Sequence, residues 1–417
     1  MRIAIIGSGI SGLGAAYLLN PDHEIVLYEQ NDYLGGHART RTVQYLGKKI
    51  AVDTGFIVFN YRNYPHLTGM FSHLDVPVKL SDMSFAASLE DGAFEYSSKN
   101  LSGMFPDFKS LFQPKRYRML IDYFRFARAA KAFLKKESDI SLDTLIKNSG
   151  VSASFADEFI LPISAAIWSG SVQQMRQFPA RTFVRFFENH GLLDVNGQPD
   201  WYTVDGGSQE YVKRVVEGFE DKIRLNTVVA RVEPVEGGVE VTDATGAVER
   251  YDHAIIAAHS DQALAMLANP SHAQKAALKP IRYQENRAYL HRDTRLMPRS
   301  GQCWASWVFM ADKPVDELPN VSVTYWMNLL QSIDEDCPLF VSLNPVLTPH
   351  EDLVFEEHVF MHPVYDADAI AAQKKVAGMQ GENNIWFCGA WQRYGFHEDG
   401  LQSAVHVAKS LGAKVPW

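Results

Sequence analysis

The sequence predicts an α/β protein of two interleaved domains, one of them built on a parallel sheet. Three observations carry that prediction. The chain opens with an apolar run, a glycine-rich turn, a helical stretch and a second apolar run. It closes on another apolar run followed by glycines and a helix, and short apolar runs of strand type lie between. At 417 residues it is also longer than one compact core usually spans.

Residues 3–6 are predicted as a buried strand, 13–19 as a helix that Asn20, Pro21 and Asp22 break, and 24–28 as a second strand ending at Glu29. Together they make a βαβ opening. Gly35-Gly36 and Asp53-Thr54-Gly55 follow in a polar, glycine-rich stretch. From about residue 100 the pattern turns helical and aromatic. Near Trp201 it changes again: Asp205-Gly206-Gly207 precedes a helix, with strands expected over 223–232, 239–242 and 254–258. Residues 281–365 look strand-rich, with candidates at 288–291, 304–310, 321–326 and 340–343. A strand at 385–388, a glycine turn and a helix from about Leu401 end the chain.

Gly7-x-Gly9-x-x-Gly12, with Ser11 inside it, sits between a strand and a helix, and Glu29 ends the next strand. Such glycines let backbone approach a pyrophosphate at a helix N-terminus, while the acid accepts hydrogen bonds from an adenosine ribose. An acid at that place disfavours a 2′-phosphate, which argues against NADP. The motif therefore marks a Rossmann-type domain. Signals of this kind at both ends and in the middle assign 1–75, 200–270 and 375–417 to a discontinuous dinucleotide-binding domain. The remainder, 76–199 and 271–374, is expected to form an α+β substrate domain, with the active site between the two.

Four of these segments, in this order, resemble the FAD-binding amine oxidase superfamily, which includes monoamine and polyamine oxidases, protoporphyrinogen oxidase and phytoene desaturase. The segments are the opening motif continued into Gly35-Gly36, Asp53-Thr54-Gly55, the stretch 201–212 with Gly206-Gly207, and Gly389 with Gly400-Leu401-Gln402-Ser403-Ala404. The resemblance implies FAD as the dinucleotide. It places Gly55, Gly389, Ala390, Gly400, Leu401 and Ser403 among the cofactor contacts, and Val228 where a valine backbone holds the adenine. The sequence departs from the family in two places. His37 follows the doublet where an arginine is usual, with arginine only at Arg39, so His37 and Arg39 are expected to arrange the pyrophosphate contact differently. Ala390 replaces the usual acid. Cys388 lies inside the predicted strand, which makes the FAD non-covalent.

Counting back from Gly400, His397 falls where amine oxidases hold an aromatic residue over the flavin. It is the candidate catalytic residue, exchanging a proton as hydride moves; packing against the cofactor is the alternative. Trp391, Tyr394 and Phe396 fit either an aromatic wall or a core. The runs 386–391 and 395–401 also resemble a bacterial subgroup of FAD-dependent oxidoreductases linked with cyclopropane and branched fatty acyl modification. Residues 282–291 lack the lysine that amine oxidases of this type commonly carry. Together these imply hydride transfer between flavin and an apolar, fatty acyl-like substrate. An amine oxidase releasing hydrogen peroxide, and a non-catalytic flavin-binding module, remain alternatives.

The net charge of −9 argues against a nucleic-acid partner. Cys303, Cys337 and Cys388 are odd in number and widely separated, which suits a reducing compartment. With no secretory leader and no long apolar run, the expectation is a cytoplasmic protein. Across 104–136, Arg118, Asp122, Arg125, Arg128, Lys131 and Lys135 recur at helical spacing, and Tyr117, Leu120, Ile121, Phe124, Ala127 and Leu134 form the other side. This amphipathic helix is expected either to meet anionic lipid as a peripheral contact or to pack with its basic stripe solvated. His358 and His362 lie four apart in a strand-like run; the spacing alone does not make a metal site, and none is expected.

Overall fold

The computed structural model describes residues 1–136, 138, 140–168, 171–193, 198–311 and 321–417. Its organising element is a five-stranded parallel sheet. The strands, in spatial order, are Ile223–Arg224, Glu24–Tyr28, Arg2–Ile6, His253–Ile256 and Ile385–Phe387. Ile3 pairs with Ile25 on one side and with His253 on the other. Both faces are covered, which is why these strands read as unbroken apolar runs and not as alternating ones. Ile3, Ile5, Ile25, Leu27 and Ile255 pack with the helices Ile10–Leu19 and His397–Ser410. Ala4, Val26, Ala254, Ile256 and Phe387 face a three-stranded antiparallel sheet of Val229–Val235, Gly238–Asp243 and Val248–Tyr251. A Cβ on Gly14 would lie 2.5 Å from Leu401 Cδ1, so the first and last helices approach as closely as they do only because that position is bare.

The expected single strand over 223–232 is two. Ile223–Arg224 ends the parallel sheet, Asn226 turns with φ 52°, and Val229–Val235 enters the antiparallel sheet. Asparagine tolerates that left-handed turn, and Asn226 and Thr227 N–H bond the carbonyls of Asn31 and Glu29. The last helix begins at His397, four residues before the expected start, because Glu398 and Asp399 suit a helix N-terminus and Gly400 is accepted within it for close packing.

A second sheet has seven strands in the order Val354–Val364, Arg282–His291, Phe340–Leu343, Val321–Trp326, Trp307–Ala311, Phe85–Leu89 and Phe94–Ser97. All neighbours are antiparallel except Trp307–Ala311 with Phe85–Leu89. Ala288, Leu290, Phe309 and Val341 pack with Phe126, Phe133, Phe155 and Phe183 of the helical stretch. The region 76–199 opens with the strands Val78–Ser81, Phe85–Leu89 and Phe94–Ser97, and its helices begin at Leu101, where the helical pattern was expected. Among the described residues no helix is long and apolar enough to cross a membrane.

The helix Pro114–Leu134 keeps its basic stripe at or near the surface, as expected, but leaves most of the other side exposed as well, with only Ala127 of that side buried. Its buried residues include Arg116, Met119, Asp122, Phe126, Ala130 and Phe133, while Tyr117, Leu120, Ile121 and Phe124 are exposed. Two polar side chains decide this. Arg116 donates to the carbonyls of Glu95 and Met104 at 2.9 and 2.7 Å. Asp122 is fully buried and accepts from Arg118, Arg125 and the Ser152 N–H. Paired this way, neither charge is orphaned by burial.

Candidate active site

Gly7 leaves the first strand with φ 103°, and a Cβ there would sit 2.7 Å from the Ala257 carbonyl oxygen. A Cβ on Gly12 would fall 1.8 Å from the Gly7 carbonyl oxygen, so the turn closes only with glycine at both places. Gly9 differs: its Cβ direction is open, with nothing within 4 Å. Gly9 precedes the helix Ile10–Leu19, which has no side-chain cap and no acid in its first turn. The amide groups and partial positive charge of that terminus therefore face the open space, as a pyrophosphate requires. Gly35 donates to the Ser8 carbonyl at 3.0 Å, and a Cβ on Gly36 would be 3.2 Å from Gly9 Cα, so the doublet forms the opposite lip.

Glu29 lies at the next strand's end, buried. One carboxylate oxygen accepts from the N–H and hydroxyl of Ser8, the other from the N–H and side-chain amide of Asn31. Thr227 N–H reaches the Glu29 carbonyl, which places Val228 beside it, at what would be the adenosine end.

The third and fourth segments meet this turn from the other side. A Cβ on Gly55 would stand 2.2 Å from the His37 carbonyl oxygen, which accepts from Phe56 N–H. A Cβ on Gly400 would lie 2.9 Å from Ser11 Oγ and 3.7 Å from Ala390 Cβ, and Gly389 N–H donates to Ser403 Oγ at 2.8 Å. Gly7, Gly9, Ser11, Gly12, Gly35, Gly36, His37, Gly55, Gly389, Ala390, Gly400, Leu401 and Ser403 therefore converge around the start of the first helix. Arg39 points elsewhere: its guanidinium makes a two-pronged pair with Glu356 of the strand Val354–Val364, at 2.8 Å for each prong.

Asp53, quoted above only for its neighbour Gly55, ties the segments together. Fully buried, it accepts from Thr40 Oγ1, from Ser208 N–H and Oγ just after Gly206-Gly207, and from Gln331. Burial pushes its carboxyl up to about 6, opposed by those hydrogen bonds.

His397 is the first residue of the last helix and is buried. Its ring stacks on Phe56 at 3.9 Å, and its Nε2 lies 2.7 Å from the Tyr211 hydroxyl. Burial lowers its pKa to about 3, so the imidazole is neutral near pH 7. His37 and His362 bring their Nε2 atoms within 3.1 Å, and His37 packs on Phe360 at 4.8 Å. His358, Phe360 and His362 share one face of their strand, as the alternation predicts. Burial, then the charge of the neighbouring His362, hold His37 well below its ordinary value; burial brings His362 to about 4. His259 stacks on Tyr283 at 4.4 Å and is lowered by burial too. Tyr211, Phe56 and His259 were not singled out from the sequence, since they come from separate segments with no common spacing, and His362 was noted there only for its spacing to His358. Among the described residues no group of three or more His, Cys, Asp or Glu is arranged to hold a metal ion.

The model of one protein family, described as flavin containing amine oxidoreductase, matches residues 10–301. No curated protein matches the chain. Among solved structures, the CLA-producing fatty acid isomerase from P. acnes is similar with TM-score 0.69 at 14% identity, covering 99% of each chain. Cyclohexylamine oxidase from Brevibacterium oxydans IH-35A is similar with TM-score 0.67 at 14% identity, covering 98% of this chain and 99% of its own. Reduced UDP-galactopyranose mutase gives 0.68 at 16%, covering 99% of this chain and 96% of its own. At such identities the likeness is one of fold.

Proposed function

We propose, from the premise that this chain belongs to the flavin containing amine oxidoreductase family and is an FAD-dependent oxidoreductase, that its substrate is apolar and lipid-like, of fatty acyl type. The observation that carries this reading is the neutral wall beside the glycine cradle. His37, His362 and His397 are all held below their ordinary pKa among Phe56, Phe360 and Tyr211, so near pH 7 these side chains present uncharged rings. A water-poor, uncharged wall favours C–H bonds over a cation. The absence of lysine from Arg282–His291 points the same way.

In this reading 1–75, 200–270 and 375–417 hold the FAD, and 76–199 with 271–374 face the substrate. Gly9, Ser11, Gly12, Gly35 and Gly36 take the pyrophosphate, Glu29 and Val228 the adenosine, and Gly55, Gly389, Ala390, Gly400, Leu401 and Ser403 the remainder, without a covalent bond. The ribose has to displace Asn31 or Ser8 from the Glu29 carboxylate, whose four acceptor positions they occupy. Arg39 braces the strand that carries His358 and His362. Bound FAD supplies hydride transfer to or from a substrate C–H bond. His397 serves that step as a neutral hydrogen-bonding partner held by Tyr211. Charging it at pH 7 would cost about 5 kcal/mol, too much for an efficient general base. The family's name favours amines as the second reading.

The test is anaerobic addition of unsaturated and branched acyl lipids, and separately of mono- and diamines, with flavin absorbance as the readout. Bleaching by an acyl lipid is the expected result. Bleaching by amines alone, with hydrogen peroxide formed in air, would replace the acyl reading by the amine one.

A further inference from the structure

We infer that the surface formed by residues 101–136 docks on an anionic phospholipid bilayer, with its aromatic side chains entering the interface and its basic side chains meeting the head groups. The inference is independent of which substrate the flavin serves.

Of the seventeen large hydrophobic side chains exposed among the described residues, eight lie between Leu101 and Phe124. Phe108, Phe112 and Phe124, at 75, 70 and 56% exposure, are the only phenylalanines in that set. Phe108 and Phe112 stand edge to face with ring centres 5.2 Å apart, one aromatic prow and not two scattered residues. Tyr117 and Ile121 continue it along the helix Pro114–Leu134. A contiguous exposed apolar patch of this kind marks a contact surface.

Charge selects the partner. Residues 101–136 hold nine Lys and Arg against two Asp, in a chain whose net charge is −9. One of the two, Asp122, is buried beneath Arg118 and Arg125. Beside Phe124 the surface sinks into a hollow of about 740 Å³, floored by Tyr123, Ala127 and Leu193 and rimmed by Arg128, Lys131 and Lys135. Apolar floor with cationic rim is the complement of acyl chain with anionic head group. A second copy of the chain fits less well. A two-fold contact through this face would set the surface cations of one copy, Arg128, Lys131 and Lys135 among them, against those of the other. The buried Arg116 and Asp122 explain how the helix can face this way and remain anchored.

The experiment is co-sedimentation of the FAD-loaded full chain with vesicles of phosphatidylcholine, with and without phosphatidylglycerol. Binding to the mixed vesicles is expected to be at least about tenfold stronger than to neutral ones, and to fall away between about 0.05 and 0.5 M NaCl. The triple variant Phe108→Ser, Phe112→Ser, Phe124→Ser should lose binding by about tenfold or more. Its flavin content and melting temperature should stay at the wild-type values, since the three side chains are solvated. Replacing the same residues by leucine should restore binding. Two results would overturn the proposal. One is sedimentation that ignores both lipid charge and the three phenylalanines. The other is a wild-type dimer that the serine variant converts to monomer while vesicle binding is unchanged, which would make the surface a self-association face.

Discussion

The helix Ile10–Leu19 hides nine of its ten residues, whereas Pro114–Leu134 hides seven of twenty-one. The first is mostly small and apolar, wedged between a sheet and the last helix, with open space beside Gly9 at its N-terminus. The second puts an arginine and an aspartate inward and leaves several large apolar side chains outside. Their difference teaches where function sits on each. In the first helix every side is committed to packing, so chemistry is left to backbone amides at one end. In the second the core needs only every third or fourth residue, and the free side carries side chains that packing does not explain.

The largest effect expected on this contrast is inward on the long helix. Phe126, packed among Phe155 and Phe183, should cost about 3–5 kcal/mol of stability when replaced by alanine. A urea melt that hardly moves would mean the helix does not bury this face. Next comes the cradle. Gly9→Ala should weaken FAD binding by about 100-fold while the melting temperature of the apoprotein stays put, because no protein atom beyond its chain neighbours lies within 4 Å of its Cβ position, which borders the proposed pyrophosphate site. Gly12→Ala should damage both together. If the two glycines behave alike, the distinction between cradle and scaffold is wrong.

A third expectation concerns pH. The folded pKa of His397, about 3, is depressed below its unfolded value near 6.5, so the unfolded chain takes up the proton first. The resulting stability is present above pH 6.5 and lost as pH falls from there toward 3. Relative to His397→Phe, wild type should lose about 2 kcal/mol between pH 7 and pH 5, read from urea melts. Asp53, Glu398 and Asp399, raised by burial to about 6, 7 and 6, act in the opposite sense but are common to both proteins and cancel in the difference. An unchanged difference at the two pH values would show that His397 is not held neutral. Smaller again, Tyr211→Phe removes one hydrogen bond to His397 and should cost about 1 kcal/mol. Smallest of all, Phe124→Ala on the exposed side of the long helix should stay within about 0.5 kcal/mol of wild type.

Where a single local rule governs, the sequence was readable. The opening βαβ unit, the glycine turn and Glu29 follow from spacing alone, since each depends on contacts between near neighbours in the chain. The closing strand was readable as a short apolar run, whereas Gly400, which packs on Ile10 and Ser11 at the other end of the chain, was marked only by the family resemblance. Three things were not. Asn226 splits the stretch 223–232 because a turn there pairs with Glu29 and Asn31, contacts about two hundred residues away in sequence. The long helix leaves Tyr117, Leu120, Ile121 and Phe124 outside because Arg116 and Asp122 find buried partners on other segments, which hydrophobic patterning does not record. The histidine wall draws His37, His259, His362 and His397 from four distant places, and no spacing announces it. The five-stranded sheet thus repeats what sequence already said, and the meeting of His37, His362 and His397 with Phe360, Phe56 and Tyr211 is what the structure adds.

The account rests most directly on FAD held without a covalent bond in the cradle around Gly9. The absorption spectrum of the purified protein, taken before and after acid precipitation, tests it. The account predicts a yellow protein whose chromophore passes into the supernatant and runs as FAD. A colourless protein that takes up no added FAD, or a flavin that stays with the precipitate, would contradict it.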